Sequence, residues 1–99
     1  MVVAIKHGQI AEVSLQRPPV NALNQSVIDE LLAAHNEAIS NGSKAIILSG
    51  SPGMFSGGLD VPELLNYDAE EIEHFWYSFF SLLYELASSS VPVIAAITG

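Results

Sequence analysis

An α/β fold with parallel crossovers is what this sequence predicts, on three observations. Short β-branched segments alternate with longer stretches of helical periodicity, at the spacing that strand–helix–strand units need. Of the 99 residues, 49% are hydrophobic and 14% charged, a balance that suits one small domain with its own core. No run of about 18 apolar residues occurs, so the hydrophobicity belongs to a folded interior and not to a membrane span.

The elements follow in order. Residues 2–6 and 10–16 are short and partly alternating, and His7-Gly8-Gln9 separates them, which predicts a two-stranded hairpin. Arg17-Pro18-Pro19 stops regular structure, because proline donates no ladder hydrogen bond and restrains its predecessor. A loop VNALN leads to a helical stripe at Val27, Ile28, Leu31, Leu32, Ala38 and Ile39. Asn24 or Ser26 is suited to cap its start, and Asn41-Gly42 to end it in a left-handed turn. Residues 44–49 (KAIILS) read as a buried strand. Asp60-Val61-Pro62-Glu63 sets a cap, an early proline and a Glu at the capping-box position of a short helical turn. Asp68-Ala69-Glu70-Glu71 repeats that arrangement for a longer helix. Its expected core stripe is Ile72, Phe75, Trp76, Phe79, Phe80, Leu83, Leu86 and Ala87, with Tyr77 and Tyr84 off it. VPVIAAIT (91–98) reads as another buried strand. All 99 residues are assigned to one domain.

Between a strand and a capped helix lies Gly50-Ser51-Pro52-Gly53-Met54-Phe55-Ser56-Gly57-Gly58-Leu59-Asp60. Consecutive glycines let a backbone approach a ligand and adopt positive φ. Amides leading into a helix start are ready to meet negative charge, such as an enolate-like oxyanion. Glycine content alone is equally that of an ordinary turn. Gly53 and Gly58 stand at P-loop separation, but Leu59-Asp60 follows where Lys-Ser/Thr is required. Neither a G-x-G-x-x-G fingerprint nor a G-x-S-x-G nucleophile elbow occurs, which removes the main support for nucleotide hydrolysis and serine hydrolysis.

Composition excludes more. The net charge is −8, with Lys6, Arg17 and Lys44 the sole basic residues apart from histidine; nucleic-acid binding needs a basic stripe that this chain lacks. Without cysteine there is no disulfide framework or thiol nucleophile. His7, His35 and His74 are widely spaced, and the helical pair Glu70/His74 reads as a surface pair, so no metal site is expected. The first residues hold too short an apolar run for a signal peptide; the expected location is cytoplasmic.

Three stretches together carry a resemblance to a known family. Pro18-Pro19-Val20-Asn21-Ala22-Leu23, then Phe55-Ser56-Gly57-Gly58-Leu59-Asp60, then Val91-Pro92-Val93-Ile94-Ala95-Ala96-Ile97-Thr98-Gly99 follow in the order of the crotonase (enoyl-CoA hydratase/isomerase) family. PPVNAL with FSGGLD resembles the Δ3,Δ2-enoyl-CoA isomerases most, with hydratases close behind. The resemblance implies the N-terminal part of a crotonase-type ββα spiral. It implies action on acyl-CoA thioesters through an enolate, with coenzyme A as part of the substrate and no other cofactor or metal. By similarity the Leu59 N–H is an oxyanion-hole donor. Gly57 and Gly58, with Asp60 and Val61 beside them, shape the backbone against coenzyme A, and Val20 and Ala22 line the same groove. Asp60 is expected mainly to hold the loop and cap the helix.

There are departures. Pro62 stands where many hydratases place a basic residue near the nucleotide, and Gly57 replaces the motif's usual alanine. The resemblance puts the second oxyanion donor and the catalytic glutamates beyond Gly99, so this chain alone is expected to be inactive. Homo-oligomers, trimers or hexamers, are implied by similarity, and part of the aromatic helix is implied as a wall for the acyl chain. The rival expectation is a short non-catalytic chain that binds acyl-CoA or a partner.

Overall fold

Among the described residues, four strands and three helices form in the order β1 (Val2–His7), β2 (Ile10–Leu15), α1 (Gln25–Ser40), β3 (Ala45–Ser49), α2 (Val61–Leu64), α3 (Ala69–Ala87) and β4 (Val93–Ala96). This is a computed structural model, and it describes residues 1–97; Thr98, placed above in the last strand, lies outside the described residues, as does Gly99. The sheet order is β1-β2-β3-β4. β1 pairs antiparallel with β2, whereas β2–β3 and β3–β4 are parallel. Both the hairpin and the parallel crossovers are as the sequence predicts. Gly8, with φ 63°, takes the hairpin's first central position, where twist-matched two-residue turns call for positive φ.

Local chemistry sets the helix ends. Of the two capping choices the structure uses Asn24, whose side chain accepts from the Val27 N–H at 2.9 Å. At the other end Gly42 has φ 79°. The Gly42 N–H reaches Ile39 O at 3.0 Å and the Ser43 N–H reaches Ala38 O at 3.1 Å, the paired bonds of a Schellman stop. Asp68 and Glu71 form a reciprocal capping box at α3. At α2 only half of the expected box forms. The Asp60 side chain accepts from the Glu63 N–H, but the Asp60 N–H already bonds Leu23 O at 2.9 Å. Glu63 therefore turns to the Tyr67 hydroxyl.

Alternation along β2 sends Ala11, Val13 and Leu15 to one face of the sheet. There they meet Ile46 and the α1 residues Val27, Ile28 and Leu31. Helix α1 packs on β1, β2 and α3, so it is the middle of the assembly. The opposite sheet face stays open, with Val3, Ile5, Ile10 and Ile94 all exposed. On that face the Glu12 carboxylate accepts from Ser49 Oγ at 2.6 Å and lies 2.8 Å from His7 Nε2. Those hydrogen bonds, Ser49 first, hold its carboxyl below the usual range.

Two expectations about burial need correction. In α3 the buried seam is Ile72, Phe75, Phe79, Leu82 and Leu86, with Ser78 on it. Trp76, Phe80, Leu83 and Ala87, expected in the core, are exposed, as are Tyr77 and Tyr84, which the stripe left out. The reason is that among the described residues α3 packs chiefly on α1, and one main neighbour buries a narrow 3-4-3-4 seam, not the wider band of a core helix. β4 is likewise no buried strand: Ile94 is 56% exposed, because β4 is the sheet edge and the described residues place no element over it. Glu70 and His74 are both exposed, but the His74 ring lies 3.5 Å from Ser78 Oγ instead of pairing with Glu70.

Candidate functional site

Two loops, both leaving the carboxyl ends of parallel strands, come together here. Residues 16–24 follow β2 and residues 50–60 follow β3; that end is where open α/β sheets build their sites. A short parallel bridge between Leu23 and Leu59 joins the loops. The Leu23 N–H donates to Gly58 O at 2.8 Å, and Leu23 O accepts from the Asp60 N–H at 2.9 Å. In such a bridge the residue between the two bonded ones turns its own N–H the other way. The Leu59 N–H accordingly has no partner among the described residues.

The neighbouring amides are engaged. The Gly57 N–H donates to Val20 O at 2.7 Å, and the Gly58 N–H to Ser56 Oγ at 3.1 Å. Gly58 has φ 92°, a region glycine enters without penalty. At Gly57 the need is space: a Cβ there would lie 3.2 Å from Val20 Cβ and Cγ2. Gly50 is tighter still, since its Cβ would fall 2.5 Å from Phe55 O. The structure thus brings Val20, Gly57, Gly58, Leu59 and Asp60 together, with Ala22 beside them through Arg17. Val61 begins α2 and is exposed. With four residues, α2 has too few aligned peptides for the macrodipole expected of a longer helix.

The centre of the arrangement is Asn21, which the sequence reading passed over as part of a motif. Its side chain is 1% exposed. Asn21 Oδ1 accepts from the Arg17 N–H at 2.8 Å. Nδ2 donates to Phe55 O at 3.1 Å and Met54 O at 3.2 Å, and lies 3.3 Å from Ser51 Oγ. Asn21 sits at φ 53°, a left-handed conformation asparagine tolerates better than other side chains. Asparagine in a loop beside glycines was the available signal; which backbone it would bind was not visible.

Arg17, expected to stop regular structure before the prolines, also bridges the loops. Its Nη1 donates to Ala22 O at 2.9 Å and lies 2.8 Å from Asp60 Oδ2, so it clamps the two loops. The Arg17 hydrogen bond, and then the Glu63 N–H, hold the Asp60 carboxyl below its usual range. A carboxyl depressed in the folded state contributes stability above its unfolded value and loses it as pH falls through the folded one. Folding stability should therefore drop on acidification below about pH 4. Asp60→Asn should flatten that acid limb in urea melts run at several pH values; curves parallel to the wild type would refute the linkage.

Arg17 is committed to Asp60. Lys6 lies opposite Ala11 and Lys44 N bonds Gln9 O, so both belong to the amino ends of the parallel strands, away from the site. Among the described residues no group of three metal-ligating side chains occurs, and no helix is long and apolar enough to cross a membrane.

This loop pair has known relatives. The chain matches the enoyl-CoA hydratase/isomerase family over residues 6–99. It is 36% identical over 91 residues to a probable enoyl-CoA hydratase, EchA17, of Mycobacterium tuberculosis, covering 91% of this chain and 35% of that protein. It is 34% identical over 94 residues to the peroxisomal fatty acid beta-oxidation multifunctional protein MFP2 of Arabidopsis thaliana, covering 91% of this chain and 13% of that one. Among solved structures, the probable enoyl-CoA hydratase EchA3 of M. tuberculosis superposes with a TM-score of 0.90 at 31% identity, covering 99% of this chain and 42% of that chain. An enoyl-CoA hydratase of Thermoplasma volcanium gives 0.91 at 26% identity, over 99% and 40%. The chain spans about a third of the length of the hydratase it matches. On its matched residues and its fold, the chain belongs to the enoyl-CoA hydratase/isomerase (crotonase) family and has the fold of that family's N-terminal part.

Proposed function

We propose that this chain supplies the first half of an acyl-CoA thioester site, in a protein that isomerises or hydrates fatty enoyl-CoA through an enolate. The observation that carries the reading is the unpartnered Leu59 N–H, set beside Gly57 and Gly58 amides that already have acceptors. Removing a proton next to a thioester carbonyl makes an oxyanion, and a fixed amide aimed at that oxygen stabilises it. Val20, Ala22, Gly57, Gly58, Asp60 and Val61 form the surrounding groove for coenzyme A, which enters as part of the substrate. The groove meets the thioester end with neutral backbone. Its cation, Arg17, is neutralised by Asp60.

One donor is half of what the chemistry uses. Loss of an oxyanion donor typically costs about 2.7–4 kcal/mol, roughly 10²–10³ in rate, and a carboxylate base must also lie within hydrogen-bond reach of the moving proton. On this reading the 99-residue chain binds without turnover, isomerisation is the leading activity of the whole protein, its assembly is a homo-oligomer of trimer or hexamer type, and its location is cytoplasmic.

Titration of ¹⁵N-labelled protein with butyryl-CoA tests the site. The Leu59 amide is expected to shift while enoyl-CoA added to the same chain stays unconverted. An unmoved Leu59 amide at saturating ligand would reject the site, and turnover by this chain alone would reject its incompleteness.

A further inference from the structure

The loop after β3 offers three successive amides, and a single side chain decides whether the middle one is engaged. Gly57 N–H is taken by Val20 O. Gly58 N–H is taken by Ser56 Oγ at 3.1 Å, and the same hydroxyl donates to Asn21 O at 2.8 Å. A serine hydroxyl has one proton and two lone pairs. Donation of that proton to Asn21 O leaves the lone pairs as the oxygen's remaining capacity, and the Gly58 N–H takes one of them. Asn21 is itself immobilised by its buried side-chain bonds to both loops. The peptide that carries the Gly58 N–H is thereby tied to β2's loop through one hydroxyl, whereas the following peptide is tied to it by the Leu23 N–H on Gly58 O.

We propose that Ser56 is a positioning residue that selects Leu59 as the loop's one thioester-facing amide by occupying the Gly58 N–H. This rests on the reading of Leu59 given above. Gly58, at φ 92° and without a side chain, relies on hydrogen bonds and not on sterics to fix its backbone. With no acceptor at Ser56, its N–H becomes a second unpaired donor next to Leu59. The Gly57–Gly58 peptide that carries it is then free to reorient, while the next peptide stays held by the Leu23 N–H on Gly58 O; a carbonyl oxygen meets a second, loosely held donor that competes with the fixed Leu59 N–H. Ser56 touches no substrate atom in this scheme; its effect passes through Gly58.

The test uses the whole 99-residue chain and two ligands that differ by one carbonyl, butyryl-CoA and its thioether analogue S-butyl-CoA. In the wild type, amide exchange should be slow at Gly58 and faster at Leu59. Butyryl-CoA should slow Leu59 and leave Gly58 unchanged, and should bind about 2- to 12-fold tighter than the thioether, the range that one neutral hydrogen bond supplies. Ser56→Thr keeps the hydroxyl and should keep that preference. Ser56→Val, of the same shape, should lose it, with affinity for the thioether unchanged. A general loss of packing would instead weaken both ligands together.

Equal exchange at Gly58 and Leu59 in the wild type would overturn the proposal without any variant. So would a valine variant that keeps the thioester preference. If butyryl-CoA has no effect on Leu59 and no advantage over the thioether in the wild type, the reading of the site itself fails. If the wild type shows both and the Thr/Val pair does not separate, only the role of Ser56 fails.

Discussion

Replacing Asn21 with alanine should destabilise the chain by about 3 kcal/mol, near the top of what one buried polar substitution does. The Oδ1 acceptor and the two Nδ2 protons shared among Phe55 O, Met54 O and Ser51 Oγ disappear together. Met54 O keeps the Ser51 N–H as a donor, but the Arg17 N–H and Phe55 O lose the partners described above. Leaving such groups unpaired costs about 1–3 kcal/mol each when buried. Alanine also has to adopt φ 53°, a left-handed conformation costing roughly 1–2 kcal/mol. For a domain of this size, 3 kcal/mol corresponds to a fall in Tm of roughly 12–24 °C. Asn21→Gly separates the two causes, since glycine removes the bonds without the backbone penalty. Thermal melts of the pair should place glycine above alanine. A loss below about 1 kcal/mol in Asn21→Ala would mean that the loops are held together by something else.

Phe75→Ala is expected to cost about 3–5 kcal/mol, while Phe80→Ala, on another face of the same helix, costs less than about 1 kcal/mol. Phe75 is fully buried, and Phe80 is 61% exposed. The Phe75 ring meets Tyr67 and Trp76 edge-on, with centroids 6.2 and 5.4 Å away, and stacks beside Phe79 at 6.2 Å. Removing it leaves a cavity between α3 and its neighbours that a short loop-rich domain has few ways to refill. Small domains have about 5–15 kcal/mol of stability in all, so Phe75→Ala can remove a large fraction. Urea unfolding of both variants decides the matter: equal losses would mean that α3 packs by the wide aromatic band and not by the narrow seam.

The two variants also show where sequence reading reaches its limit. Periodicity in α3 is consistent with either stripe, because Phe75, Trp76, Phe79 and Phe80 all lie within one broad apolar arc. Which part of the arc is buried depends on how many neighbours the helix has, and among the described residues α1 is its main one. In the same way the apolar run of β4 reads as an interior strand, although its place at the sheet edge leaves Ile94 open to solvent. At the site, the glycines and the Asp60 cap could be marked from residues a few positions apart, and Leu59 from the resemblance that its motif carries. Asn21, Arg17 and Ser56 could not, because their partners stand far along the chain: Asn21 with Phe55, Arg17 with Asp60, Ser56 with Asn21.

By itself the sequence determined what short-range chemistry controls. Caps at Asp60 and Asp68, a cap at Asn24 or Ser26, the stop at Gly42, the hairpin turn and the strand–helix alternation all follow from a few adjacent residues. Tertiary structure decided what depends on long-range partners: which face of α3 is buried, which sheet face stays open, and which loop amide is left without an acceptor. Burial and hydrogen-bond satisfaction belong to pairs of segments brought together by the fold, and no local pattern specifies the second member of the pair.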